Sequence, residues 1–257
     1  LTGKRSHAAA RSLIYGIHPV QETLKVGRRR VDAVYLSRVF KRDSPLHGLL
    51  EQRETRVKRV SDEELSRMAG TPNHQGICAG TEPFPYHSLD EIIEPEDLPS
   101  HVLVILDEIQ DPGNLGNIIR SAECLGAAGV VLSRDRSAAV TPAVEKVAAG
   151  ASAHIPIARV VNVARALENL KREGYWIFAA EMTAGHTWFS AQLGGKTAFV
   201  LGSEAKGIRR LVREKCDLSI SIPLVGRIDS LNVAQAATVL LAEALRQRTV
   251  ESGKPED

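Results

Sequence analysis

The sequence predicts an α/β protein whose C-terminal part is a mainly parallel sheet with helices, preceded by a smaller α/β unit. Three observations carry this. Val102-Leu-Val-Ile-Leu106 is a continuous apolar run, the pattern of a parallel strand buried on both faces. Further strand-like runs recur at 129–132, 155–158, 176–180, 197–201 and 218–222 with helical stretches between most of them, the alternation of a βα-built sheet. Ahead of it, residues 83–99 hold Pro83, Pro85, Pro95 and Pro99 among many acids, a composition that breaks regular structure and suits a linker.

The expected organisation is therefore a flexible basic tail over 1–12, a front domain over 13–82, a linker over 83–99, a second domain over 100–250 and a short tail over 251–257. In the front domain the pattern gives a helix over Ile17–Val26, a strand over 31–36, a helix over 46–53 and a strand over 56–60. Ser61 with Glu64 reads as a capping box opening the next helix. Gly76-Ile-Cys-Ala-Gly80 closes the unit as a short strand bounded by glycines.

Composition narrows the function. At 257 residues and 43% hydrophobic content the chain can form one large or two small cores. No apolar run approaches the ~20 residues that span a bilayer, and the basic start has no hydrophobic stretch of a signal peptide behind it. A cytoplasmic location is the expectation. Cys78, Cys124 and Cys216 are far apart and in no metal-ligand spacing, so they read as small apolar fillers, and no metal site is expected. Charge is uneven: residues 1–60 hold 14 Lys+Arg against 5 Asp+Glu, a balance of +9. The remainder holds 19 against 26, a balance of −7. The basic end is either a phosphate footprint or a solvated arginine-rich face. An aromatic content of 4% argues against recognition dominated by base stacking.

Three stretches carry the chemistry, each placed where an apolar strand runs out. The first is Asn114-Leu-Gly-Asn117-Ile-Ile-Arg120, where Asp111-Pro-Gly-Asn114 is a turn, Asn114 a good N-cap for a helix to about Leu125, and Arg120 sits one turn after Asn117. The second is Leu201-Gly-Ser-Glu204-Ala-Lys-Gly207-Ile, in which Gly202 and Gly207 permit a tight loop and a close backbone approach to a ligand. The third is Ile222-Pro-Leu-Val-Gly226-Arg-Ile-Asp-Ser230-Leu-Asn232-Val233. There Ser230 reads as the N-cap of a long helix over 231–247, with Val233, Ala237, Leu240, Leu241 and Ala244 on its buried face.

In that order the stretches match the three signature motifs of the SpoU/TrmH family of RNA ribose 2'-O-methyltransferases, which the chain resembles from about Ser12 to Arg248. The resemblance implies a deep trefoil knot holding S-adenosylmethionine, with Ala180, Glu181, Leu201, Gly202, Ile222 and Leu231 as its contacts. It places Asn114, Arg120, Glu204, Ser230 and Asn232 at the reacting centre. Arg120 is the family's proposed activating residue; because a guanidinium is not deprotonated in proteins, its expected role is electrostatic, with Glu204 or a water it holds as the competing proton acceptor. The resemblance also implies a homodimer through the catalytic domain, with Arg120 near the partner's site.

Tyr15-Gly-Ile-His18-Pro-Val and His74-Gln75-Gly76-Ile resemble the ends of the L30e-like substrate-binding domain fused to many such enzymes. Its RNA contacts are expected at His18, His74, Arg28, Arg29, Arg30, Lys41 and Arg42. Asp135-Arg-Ser137 and Arg246-Gln-Arg248 are typical of the subgroup that methylates a guanosine ribose in bacterial 23S ribosomal RNA. Ala205, where the family often has glycine, and Asp229 depart from its pattern. Rival readings are a tRNA 2'-O-methyltransferase and a non-catalytic RNA-binding assembly factor. A nicotinamide enzyme lacks its GxGxxG, and a phosphate loop at Gly194-Gly-Lys-Thr197 lacks glycine at Ser190.

Overall fold

A computed structural model describes residues 12–41, 45–93 and 101–251. The chain forms two compact units, one through Pro85 and one from Tyr86 onward.

The front unit runs β1 (Ser12–Tyr15), α1 (Ile17–Val26), β2 (Val31–Ser37), α2 (Pro45–Gln52), β3 (Val57–Val60), α3 (Asp62–Ala69) and β4 (Ile77–Thr81). Its sheet has the order β1-β4-β2-β3, with β4 antiparallel to both neighbours and β2 parallel to β3. The helix at Ile17 has its expected bounds and stops at Gly27, which takes a left-handed conformation. Ser61 caps α3 by accepting the Glu64 N–H at 3.2 Å. Ile14, Val20, Val34, Leu36, Leu46 and Ile77 are fully buried between sheet and helices. Of the expected basic tail only Ser12 lies among the described residues, and it opens β1.

The second unit contains α4 (Leu89–Ile93), β5 (Val102–Asp107), α5 (Pro112–Cys124), β6 (Gly129–Ser133), α6 (Pro142–Val147), β7 (Ile157–Val160), α7 (Val163–Arg172) and β8 (Trp176–Ala180). It continues with β9 (His186–Thr187), β10 (Thr197–Gly202), α8 (Arg210–Arg213), β11 (Leu218–Ser221) and α9 (Val233–Glu251). The seven strands lie in the order β7-β6-β5-β10-β8-β11-β9. Every pairing is parallel. All six residues of β5 are buried, as the continuous apolar run requires of a strand covered on both faces. Burying each such Val, Leu or Ile is worth about 1.5–3 kcal/mol.

Four local expectations are corrected. Residues 89–93 form a helix inside the proline-rich stretch, because Ser88 and Glu91 cap each other: the Ser88 Oγ accepts the Glu91 N–H at 3.2 Å and the Glu91 carboxylate accepts the Ser88 N–H at 2.6 Å. This helix sends Ile92, 1% exposed, into the core. The N-cap of α5 is Asp111, not Asn114: its carboxylate accepts the Asn114 N–H at 2.8 Å, and Pro112 fills the first helical position, where no N–H is needed. The cap of α9 is Asn232, not Ser230, and the helix starts two residues later than expected; the Asn232 Oδ1 accepts the Ala234 N–H at 2.9 Å. Cys78 is a buried filler, but Cys124 is exposed.

The expected inner face of α9 is buried throughout, Val233, Ala237, Leu240, Leu241 and Ala244 being 9% exposed or less. Between α5 and α6, Gly116 is pressed so close that a Cβ there would come within 2.6 Å of the Val147 Cβ.

Candidate active site

The four strands β5, β10, β8 and β11 are consecutive neighbours in the sheet, and the three motifs leave from their carboxyl ends. In open α/β sheets this edge is where ligands bind. Gly202 pairs with Asp107 across β10 and β5, Val200 with Ala179 across β10 and β8, and Ile220 with Ala180 across β11 and β8. The Glu181 N–H adds a bond to the Ile220 carbonyl at 3.0 Å. Ala180, Glu181, Leu201, Gly202 and Ile222, expected as cofactor contacts, therefore stand side by side along one edge. The Leu201 side chain is 2% exposed and belongs to the core, so only its backbone faces that edge. Leu231 lies in the exposed loop before α9, 39% exposed.

Side chains from all three motifs join at Asn114. Its amide nitrogen donates to the Glu204 carboxylate, and its amide oxygen accepts from the Asn232 Nδ2 at 2.9 Å. Asp111's taking over the cap makes this possible, because the Asn114 side chain is released from the backbone to point across the edge. Asn232 caps α9 with its oxygen and reaches Asn114 with its nitrogen, so one residue both starts the helix and fixes the motif contact.

Glu204 is carried on a loop closed by backbone alone. The Gly207 N–H bonds the Ser203 carbonyl at 2.8 Å, and a Cβ on Gly202 would lie 2.1 Å from the Gly207 carbonyl carbon. The close approach expected at Gly202 is thus made by the chain's own loop. Below it, Asp107, fully buried at the end of β5, accepts the Arg209 N–H at 2.9 Å and takes the guanidinium through Nε at 2.9 Å and Nη2 at 2.6 Å. These bonds to Asp107 hold the Arg209 pKa above its ordinary value. They lock the downstream end of the Glu204 loop. Sequence reasoning missed this pair, which is 102 residues apart with no spacing signal; an acid ending a fully apolar strand is the one cue available.

Other expected site residues are placed differently. Arg120 is exposed, and its side chain makes no hydrogen bond or ion pair among the described residues. Six positions beyond Asn114 on α5, it lies ~9 Å further along the helix and on another face. Ser230 is exposed in the loop before α9 and does not join the Asn114 cluster.

In the front unit, Arg28, Arg30, Lys41 and His18 are exposed. Arg30 pairs with Asp32 at 3.1 Å. Arg29 is corrected: it is 7% exposed, donating its Nε to the Glu82 carbonyl at 2.6 Å with its guanidinium over the Phe84 ring. His74 is corrected likewise: it is buried, accepting the Gly76 N–H on Nδ1 at 3.0 Å and meeting the Ser66 hydroxyl through Nε2 at 3.0 Å. Arg42 lies outside the described residues. Among the described residues no group of three or more His, Cys, Asp or Glu could hold a metal ion, and no helix is long and apolar enough to cross a membrane.

Fold and sequence together place the chain among the SpoU methyltransferases. The chain belongs to the SpoU rRNA Methylase family, which it matches over residues 101–242, and it matches the RNA 2'-O ribose methyltransferase substrate binding family over residues 13–87. It is 39% identical over 242 residues to the 23S rRNA (guanosine-2'-O-)-methyltransferase RlmB of Salmonella typhimurium, covering 92% of this chain and 99% of that protein. The Escherichia coli K12 protein of the same name is 38% identical over the same shares. Among solved structures, the SpoU methyltransferase AviRb of Streptomyces viridochromogenes superposes with a TM-score of 0.80 at 27% identity, covering 95% of this chain and 91% of that one. Its complex with AdoMet gives a TM-score of 0.79 at 26% identity, covering 93% and 91%.

Proposed function

We propose that this protein transfers a methyl group from S-adenosylmethionine to the ribose 2'-hydroxyl of a guanosine in 23S ribosomal RNA. The observation that carries the reading is the Glu204–Asn114–Asn232 chain, which ties three distant segments at one sheet edge. Likeness to the RlmB proteins supports the guanosine and the 23S substrate.

The edge fits the cofactor. Backbone groups of residues 222–231 make no backbone hydrogen bond among the described residues, leaving donors and acceptors beside the ends of β8, β10 and β11. Ala180, Glu181, Gly202, Ile222 and Leu231 would hold the group, which supplies an electrophilic sulfonium methyl when bound. The protein's own task is to hold the 2'-hydroxyl and polarise its proton. Glu204 is an acceptor whose carboxylate is aimed by the Asn114 amide. Asn232 fixes Asn114 in turn. Arg120 supplies positive charge toward a phosphate and the developing alkoxide. The knot implied by the motifs belongs to the same proposal, as does the location in the cytoplasm.

A homodimer completes the reading. Leu224, Val225, Ile228 and Leu231 are exposed in one loop, Val225 at 103% and Ile228 at 74%, and contiguous apolar exposure of this kind is a protein contact surface. In such a dimer Arg120 of one protomer would serve the other's Asn114 cluster, as the motif resemblance implies. The front unit, through Arg28, Arg30, Lys41 and His18, supplies substrate contacts suited to phosphates.

The test is labelled methyl transfer to unmodified 23S RNA, with mapping of the alkali-resistant ribose. One modified guanosine, lost in both Arg120→Ala and Glu204→Ala and partly restored by mixing the two variants, is the expected result. Transfer to tRNA alone would replace the substrate, and cofactor binding without any transfer would favour the assembly-factor reading.

A further inference from the structure

We propose that Arg136, in the loop that follows β6, is a ligand for a backbone phosphate of the substrate RNA beside the reacting centre. The proposal rests on the methyl-transfer reading above.

Two residues in the left-handed region meet here, one directly after β5 and one in the loop after β6. Glu108 has φ 61° and Arg136 has φ 58°. For side chains other than glycine this conformation costs on the order of 1–3 kcal/mol at each position. The two are joined to each other: the Arg136 Nη2 lies 2.9 Å from the Glu108 Oε1. Glu108 is 7% exposed, and its N–H is held by the Ser133 hydroxyl at 3.0 Å. Ser133 in turn bonds Ser137, and the Ala138 N–H bonds the Ile109 carbonyl at 2.8 Å. Three contacts thus stitch the end of β5 to β6 and its loop, and the Ser133–Ser137 bond braces the loop itself.

What this construction presents is a guanidinium. The Arg136 side chain is 66% exposed although anchored at one nitrogen, and a guanidinium has five donors in a fixed fork, so most remain directed outward. Arg209 also approaches Glu108, at 3.3 Å, but its charge is already matched by Asp107. Glu108 therefore holds Arg136 by charge, as an ion pair. An arginine that merely kept a surface soluble would need neither a buried carboxylate nor a strained backbone.

Position and charge select the ligand. β6 is the immediate neighbour of β5, ~4.8 Å away, so the loop flanks the strand end that leads to Asn114. The site itself exposes Asp111, Glu204 and Asp229, which repel RNA. Arg134 is matched by the exposed Asp135 at 3.5 Å, so the offset to that repulsion rests on the outward donors of Arg136, on the side of β10 away from the cofactor residues of β8 and β11. An anionic group bound there belongs to the RNA rather than to the cofactor carboxylate.

Arg136→Gly tests this on the full chain, since glycine adopts φ 58° without strain. The expected result, measured well below the Tm of the variant, is a roughly ten-fold weaker Kd for a 23S RNA fragment by filter binding, and a matching rise in KM rather than a fall in kcat. The slope of log Kd against log salt should shrink by about 0.7–0.9, cofactor affinity should hold, and Arg136→Lys should recover part of the loss. Unchanged RNA affinity overturns the proposal. A loss of cofactor affinity reassigns the anion to the cofactor and also overturns the proposal. If the wild type binds this RNA but transfers no methyl to it, the functional reading fails while the phosphate site is still judged by Kd.

Discussion

An amide side chain can donate to a carboxylate and accept from a second amide at the same time, and Asn114 does both, between Glu204 and Asn232. Asn114→Ala removes both bonds and lets Glu204 swing. It is expected to lower kcat by about 10²-fold, the scale of losing one oriented polar group in an active site, with cofactor affinity by calorimetry nearly unchanged. Equal loss in kcat and cofactor affinity would make Asn114 a scaffold residue instead. The sequence marks Asn114 and Asn232 as candidate site residues, but the caps it places at Asn114 and Ser230 belong to Asp111 and Asn232. All four are good caps, and local propensity cannot rank a cap against a partner over 100 residues away. Arg29 shows the same limit: within Arg28-Arg29-Arg30 nothing local says that the middle arginine turns inward to Glu82 and Phe84.

At the scale of the element, loop and helix ends are fixed by contacts that leave little freedom. Gly202→Ala would place a Cβ inside the backbone at Gly207. The loop must then open, so cofactor binding and turnover should fall together while the far-ultraviolet circular dichroism stays near wild type; retained turnover would show that the loop closure is dispensable. The C-terminal half of α9 is clamped by Glu243, 5% exposed, which accepts the Arg246 Nε and Nη2 at 2.7 Å and the Gln247 Nε2 at 2.8 Å.

Gln247 then grips the segment leading into β10, through the Ala191 carbonyl at 3.0 Å and the Leu193 N–H at 2.7 Å. The Arg246 bonds hold the Glu243 carboxyl below its usual value of 4.5. A depressed folded-state pKa means stability that is present above the unfolded value and lost as pH falls through the folded one. Melting curves should therefore show Glu243→Gln less stable than wild type at pH 7, with the gap closing below about pH 4.5; a gap constant with pH would remove the ionic contribution. The Arg246-Gln-Arg248 signature thus has a structural account, Arg248 reaching the Leu125 carbonyl at 3.4 Å.

At the scale of the whole molecule, the two compact units match two different families, and their tasks are expected to separate. A chain starting at Tyr86 is expected to keep cofactor affinity, lose RNA affinity by at least ten-fold, and bind with a weaker salt dependence, since the basic excess lies in residues 1–60. Unaltered RNA affinity would move the whole substrate interface to the second unit. The α/β class and most strands were legible because parallel strands buried on both faces leave apolar runs that periodicity detects. Strand order was not, since which strands become neighbours depends on contacts far apart in sequence.

That order sets a waiting time. β10 is inserted between β5 and β8, and its residue Thr197 pairs with Val102, about 95 residues earlier. At a synthesis rate of ~5–20 residues per second, the inner edge of β5 stands open for about 5–20 seconds, and that of β8 for about 1–4 seconds, before their shared neighbour exists. An unpaired apolar strand edge is a template for aggregation. The molecule is therefore most exposed to error before it is complete, and slowed translation lengthens that exposure without changing a single contact of the finished fold.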